Sequence, residues 1–84
     1  MTQTIEIPKW FDGQIYAEGG KATNEFSGAS CQLNNVELSI YDFIMGANML
    51  IEFGTPKKEI VTLFRKSLDW FRKTNPEAYM ILLD

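Results

Sequence analysis

Six of the eight basic residues in this sequence, Lys57, Lys58, Arg65, Lys66, Arg72 and Lys73, fall between positions 57 and 73. On a helix, at about 100° per residue, they cover roughly half of the circumference. Such a face can hold phosphate or the carboxylates of an acidic protein. Glu59 and Asp69 interrupt it, and Asp69 stands at helical spacing from Arg65, Lys66, Arg72 and Lys73, any of which it can pair. The simpler reading is a solvated face, or one that complements the acidic remainder of the same molecule. Nucleic-acid binding is the alternative. It would be better supported by aromatics interleaved with the cations and by a basic chain overall, and the sequence has neither.

Other chemistry is sparse. Histidine is absent, which removes the usual neutral-pH general base, the commonest metal ligand and every Ser-His or Cys-His nucleophile pair. The one cysteine, Cys31, cannot form an internal disulfide or build a thiolate metal site alone, and reads as a small core residue. Asp12, Glu18, Asp42 and Glu52 show no acid–base spacing, and no Asp/Asn/Gly loop has the EF-hand pattern. The expectation is a protein that is not an enzyme, with no catalytic residue, no metal site and no cofactor.

Two apolar features are candidate contact surfaces. Leu38, Met45 and Met49, flanked by Tyr41, make a stripe on one helix nearly opposite its broad apolar face of Val36, Ile40, Phe43, Ile44, Ala47, Leu50 and Ile51. The stripe is either monomer core or a homodimer surface, with the methionines as adaptable contacts and Gly46 permitting close helix approach. Trp10 and Phe11, beside Asp12-Gly13, either close one end of the core or form an exposed aromatic anchor for a partner. The stretch from Asn24 to Gly28 reads as a turn or a binding loop.

The elements that would position these residues follow from local signals. Residues 3–10 and 14–18 read as strands, with Asp12-Gly13 as a turn between them. Gly19-Gly20 is expected to turn the chain into a returning strand at 21–23, and Ser27-Gly28 precedes another at 29–33. Asn34 and Glu37 have the capping-box spacing, Leu33 and Leu38 that of a hydrophobic staple, and Gly54 suits a helix end. The basic helix is expected to start with Thr55 as N-cap and Pro56 at its first position, and to end near Lys73 or Thr74. Its inner face would carry Ile60, Leu63, Phe64, Trp70 and Phe71, with Val61 and Leu68 at the seam. Asn75-Pro76 opens a short last helix over 77–83. The predicted architecture is α+β: a short antiparallel β meander in residues 1–33, then two main helices and a short C-terminal one in residues 34–84.

A chain of 84 residues, 45% hydrophobic and 13% aromatic, suits one small domain with one packed core. Its net charge of −3 is unevenly spread: −5 over residues 1–55, +4 over 56–73 and −2 over 74–84. A partner would meet the local sign. No apolar run is long enough to span a bilayer, and Met-Thr-Gln-Thr-Ile-Glu does not resemble the start of a secretory signal, so no membrane role and a cytoplasmic location are expected.

Three stretches occur together: residues 23–28 (TNEFSG) with Leu33 after them, residues 37–42 (ELSIYD) and residues 70–80 (WFRKTNPEAYM). In this order they resemble small uncharacterised proteins of marine tailed phages, particularly cyanophages, although Glu25 stands where that pattern has proline. The resemblance implies a setting, the cytoplasm of an infected bacterial host, and no functional residues. Residues and resemblance together suggest a non-enzymatic protein–protein interaction module, a phage-encoded accessory protein whose partner is another protein or a second copy of itself.

Overall fold

Asn34 sets the start of the longest helix. Its Oδ1 accepts from the Glu37 amide at 2.8 Å, and Glu37 Oε1 accepts from the Asn34 amide at 3.0 Å, which satisfies two otherwise orphaned donors. The computed structural model describes residues 7–11, 13–54 and 57–83. In chain order these form β1 (Gly20–Thr23), β2 (Ser30–Leu33), α1 (Asn35–Glu52), α2 (Lys58–Thr74) and α3 (Pro76–Leu82). The fold is α+β, with an N-terminal antiparallel hairpin followed by three helices.

The hairpin pairs Gly20 with Leu33, Lys21 with Gln32, Ala22 with Cys31 and Thr23 with Ser30. Alternation places Ala22, Leu33 and the half-buried Cys31 toward the core, while Lys21 and Gln32 face out. The connecting loop is held by Asn24. Its amide donates to the Ala29 carbonyl, its Oδ1 accepts from the Phe26 amide at 2.9 Å, and its Nδ2 donates to the Ile81 carbonyl of α3 at 3.0 Å. Gly28, at φ +78°, supplies the left-handed residue the turn needs.

The expected meander contracts to this one hairpin. Gly20 lies inside β1, so Gly19-Gly20 is not a hairpin turn. Gly19 serves a close approach instead: a Cβ there would sit 2.1 Å from the Leu33 carbonyl oxygen. Residues 7–10 are not a strand but enter a turn, in which the Phe11 amide reaches the Pro8 carbonyl; positions 3–6 and Asp12 lie outside the described residues. Residues 14–18 are also not a strand; α1 side chains take both backbone groups of Tyr16 at their centre. The Tyr16 amide donates to Ser39 Oγ at 2.9 Å, Asn35 Nδ2 donates to the Tyr16 carbonyl, and the Tyr16 hydroxyl donates to Asp42.

The expected end of α1 is observed, with Phe53 as C-cap and Gly54 at φ +80°. α2 begins later than predicted. Lys57 is its N-cap and provides no side-chain cap, while Thr55 and Pro56 lie outside the described residues. α3 begins as predicted, with Asn75 Oδ1 accepting from the Ala78 amide and Pro76 at the first position. One cluster joins all five elements: Ala22 and Leu33 from the hairpin, Val36, Ile40, Tyr41 and Ile44 from α1, Phe71 from α2, and Ala78 and Leu82 from α3. Of the predicted inner face of α2 only Phe71 is fully buried. Ser67, its other buried residue, returns its hydroxyl to the Leu63 carbonyl at 2.7 Å.

Candidate docking surfaces

Phe26 stands at the hairpin tip and is 99% exposed. The Asn24 turn fixes its backbone, so the ring is presented from an ordered loop. Beside it is a groove of about 330 Å³ into which four elements contribute: Asn24 and Phe26 from the loop, Ile44, Met45 and Asn48 from α1, Phe64 and Leu68 from α2, and Tyr79, Leu82 and Leu83 from the α3 end. Met80, three positions before Leu83, is 67% exposed, and Met49 lies exposed one turn beyond Met45.

The stripe of Leu38, Tyr41, Met45 and Met49 divides along the helix. Tyr41 is 8% exposed and packs its ring 6.5 Å from Phe71, so it belongs to the core, where Leu38 is also packed. Burial pushes the Tyr41 hydroxyl pKa up, assisted by Asp42 and Glu25. Met45 and Met49 are open to solvent, as are Leu50 of the expected broad face and the cap residue Phe53. Gly46 has no atom near its would-be Cβ, so no helix approaches there.

Lys57, Lys58, Arg65, Lys66, Arg72 and Lys73 are all exposed, as their spacing predicted. Asp69 selects two of its four possible partners: Arg72 Nη2 at 2.8 Å and Lys73 Nζ at 3.0 Å. Their hydrogen bonds hold the Asp69 carboxyl below the usual carboxylate range, Lys73 contributing most. At such exposure the pairs add little to stability.

Trp10 and Phe11 take different roles. Phe11 packs edge-on against Phe43 at 5.9 Å and against Trp10 at 6.2 Å, closing one end of the core. Trp10 lies along α2, where it lines one shallow groove with Lys66, Asp69, Trp70, Lys73 and Thr74 and another with Lys58, Glu59, Thr62 and Leu63. The fold thus adds an aromatic from residue 10 to Trp70 of α2 beside Lys66 and Lys73.

Asp42 is engaged by Tyr16, whose hydroxyl pKa that bond raises. Cys31 is half-buried against the core, and burial pushes its thiol pKa up, with Glu37 and Glu77 adding to the effect. Among the described residues no three acidic or cysteine side chains converge as a metal cage would require, and no helix is long and apolar enough to cross a membrane. Comparisons with protein-family models, with curated proteins and with solved structures find no match for this chain.

The sequence places Phe26 in a turn or binding loop without marking its ring as the exposed anchor, and it does not mark Met80 as a surface residue. Phe26 had a visible signal, an aromatic ring in a turn otherwise made of Asn, Glu, Ser and Gly. Met80 had none, since it sits in a run of apolar residues of which most are at least half-buried.

Proposed function

We propose that this chain is a non-enzymatic protein-interaction module that docks through the face carrying Phe26, Met45, Met49 and Met80. The observation that supports this most directly is Phe26, an almost fully exposed aromatic held on an ordered loop at the mouth of an apolar groove. A free ring there contributes nothing to the monomer core, and large aromatics at the centre of a patch are the side chains that anchor protein interfaces. The resemblance to small marine-phage proteins would set this docking in the cytoplasm of an infected bacterium, as an accessory function.

The test is affinity capture from an extract of cells that make the protein, with wild type and the double variant Phe26→Glu, Met80→Glu as baits. A defined protein held by wild type and lost by the equally folded variant supports the reading. Equal retention by both removes this face from the interaction.

The second reading, nucleic-acid association through Lys57, Lys58, Arg65, Lys66, Arg72 and Lys73, is favoured by the groove that sets Trp10 and Trp70 beside Lys66 and Lys73. Stacking rings next to cations are the elements of a single-strand site. Asp69 lines the same groove and occupies Arg72 and Lys73, which weakens this reading relative to the first. Binding to single-stranded DNA or RNA that falls steeply as salt rises would support it; no binding at low salt would remove it.

A further inference from the structure

Accepting the docking face just described, we propose that its partner is a second copy of the chain, each copy inserting Phe26 into the groove of the other. Knob and hole lie side by side on one surface, since Phe26 forms part of the rim of the groove lined by Met45, Phe64, Leu68 and Tyr79. Phe26 does not fill its own groove: the Asn24 turn directs it outward, where it stays 99% exposed. A two-fold axis passing beside the rim delivers each ring to the other copy's groove, and such an isologous contact uses one patch twice.

Charge favours the same pairing. Glu25 immediately precedes the ring on the exposed loop. Arg65 lies three residues before the groove residue Leu68, on the solvent side of α2, and Arg72, four residues after it, is already paired with Asp69. Inserting Phe26 into the partner's groove therefore brings Glu25 toward the partner's Arg65. The area a dimer needs is a small share of the surface. A stable interface takes about 800 Å² from each partner, roughly one-eighth of the 6089 Å² surface of this chain. Phe26 alone exposes on the order of 200 Å², and Met45, which lines the groove with it, adds exposed apolar surface.

Sedimentation equilibrium on the purified chain tests this. Wild type is expected to show a concentration-dependent monomer–dimer equilibrium. Phe26→Glu is expected to weaken it on the order of 30-fold or more with an unchanged circular dichroism spectrum, because the side chain makes no core contact. Charge reversal then reports the contact between copies. Glu25→Lys and Arg65→Glu should each dimerise less than wild type, while an equimolar mixture should form a heterodimer in which both contacts again join opposite charges. A dimer indifferent to Phe26→Glu, or a mixture no better associated than its components, overturns the proposal. So does a wild type that stays monomeric up to about 1 mM. A monomeric chain that still retains a protein from extract through Phe26 overturns only the self-partner and leaves the docking reading standing. A monomer that retains nothing removes both.

Discussion

Glu37 is a buried carboxylate with a purely structural use, and that makes it the sharpest test of how the three helices are held together. Its Oε1 accepts from the Asn34 amide at 3.0 Å, at the start of α1, and its Oε2 accepts from Asn75 Nδ2 at 3.0 Å, where α2 meets α3. Asn75 in turn caps α3 through its Oδ1. Replacing Glu37 with Gln keeps the shape but leaves one acceptor for two donors, so an amide N–H must face another. Losing one charge-assisted hydrogen bond in a buried setting costs about 1.5–3 kcal/mol. For a domain of this size about 2 kcal/mol corresponds to a fall in Tm of roughly 8–16 °C. Asn75→Asp should also destabilise, because it sets a carboxylate against Glu37. Combining Glu37→Gln with Asn75→Asp restores a donor–acceptor pair, as the new amide can donate to the new carboxylate. The double variant should therefore recover more than about 1 kcal/mol relative to the sum of the single changes. Thermal and urea unfolding followed by circular dichroism at matched protein concentration gives all four values, the matching being needed if folding is linked to association. A Glu37→Gln variant that melts within about 2 °C of wild type, or single changes that simply add, would refute the bridge.

Gly19→Ala should destabilise the fold by about 3 kcal/mol, because its Cβ would meet the Leu33 carbonyl oxygen at 2.1 Å and the Asn34 backbone at 2.8 Å. Gly20→Ala, whose Cβ meets only Leu38 Cδ2 at 3.5 Å, should stay within about 0.5 kcal/mol of wild type in the same urea melts. Gly46→Ala should stabilise by about 1 kcal/mol, since the position is helical and open and alanine has the better helix propensity; a loss of stability would mean that something approaches α1 there. In a phenolate absorbance titration the tyrosine bonded to Asp42, Tyr16, should ionise above its ordinary value of 10.0. The folded state holds that proton more tightly than the unfolded one. Its contribution is therefore complete below the ordinary value and is lost as pH rises through the raised one. Tyr16→Phe should reduce the alkaline dependence of stability, leaving the share of Tyr41 and Cys31, whose pKa values burial also raises, and an unchanged pH–stability profile in the variant would count against the Tyr16–Asp42 contact.

What could be read from the sequence was what neighbours within a few residues decide. The Asn34–Glu37 box, the end at Gly54 and the Asn75-Pro76 start each close within one helical turn, and each is observed. The basic face of α2 follows from period alone, so all six cations are where the spacing places them. The first third misled because its decisive partners are distant. Whether residues 14–18 pair as a strand depends on what receives the Tyr16 backbone, and the receivers, Ser39 and Asn35, come 23 and 19 positions later. Gly19-Gly20 carries the composition of a turn, yet the glycine is required by the Leu33 carbonyl pressed against it. The groove beside Phe26 draws on four elements, and no single periodicity encodes it.

The apolar surplus of α1 shows the same limit in a form that bears on function. A helical wheel sorts residues around the axis, and on that basis Leu38, Tyr41, Met45 and Met49 form one stripe that should share one fate. Burial instead runs out along the axis. Val36, Ile40, Tyr41, Ile44 and Ala47 are buried and no residue of α1 beyond Ala47 is, while Met45, Met49 and Leu50 are open on different sides. The cause is a shortage of covering chain. The strands have four residues each, and α3 has seven. Among the described residues α2 is the only other long element, and it contacts α1 more extensively than the hairpin does. A helix of eighteen residues cannot be enclosed along its whole length by these parts. The open residues of its C-terminal part, with Met45 in the groove beside a loop that presents an exposed phenylalanine, are where a second chain can contribute apolar burial that this one lacks.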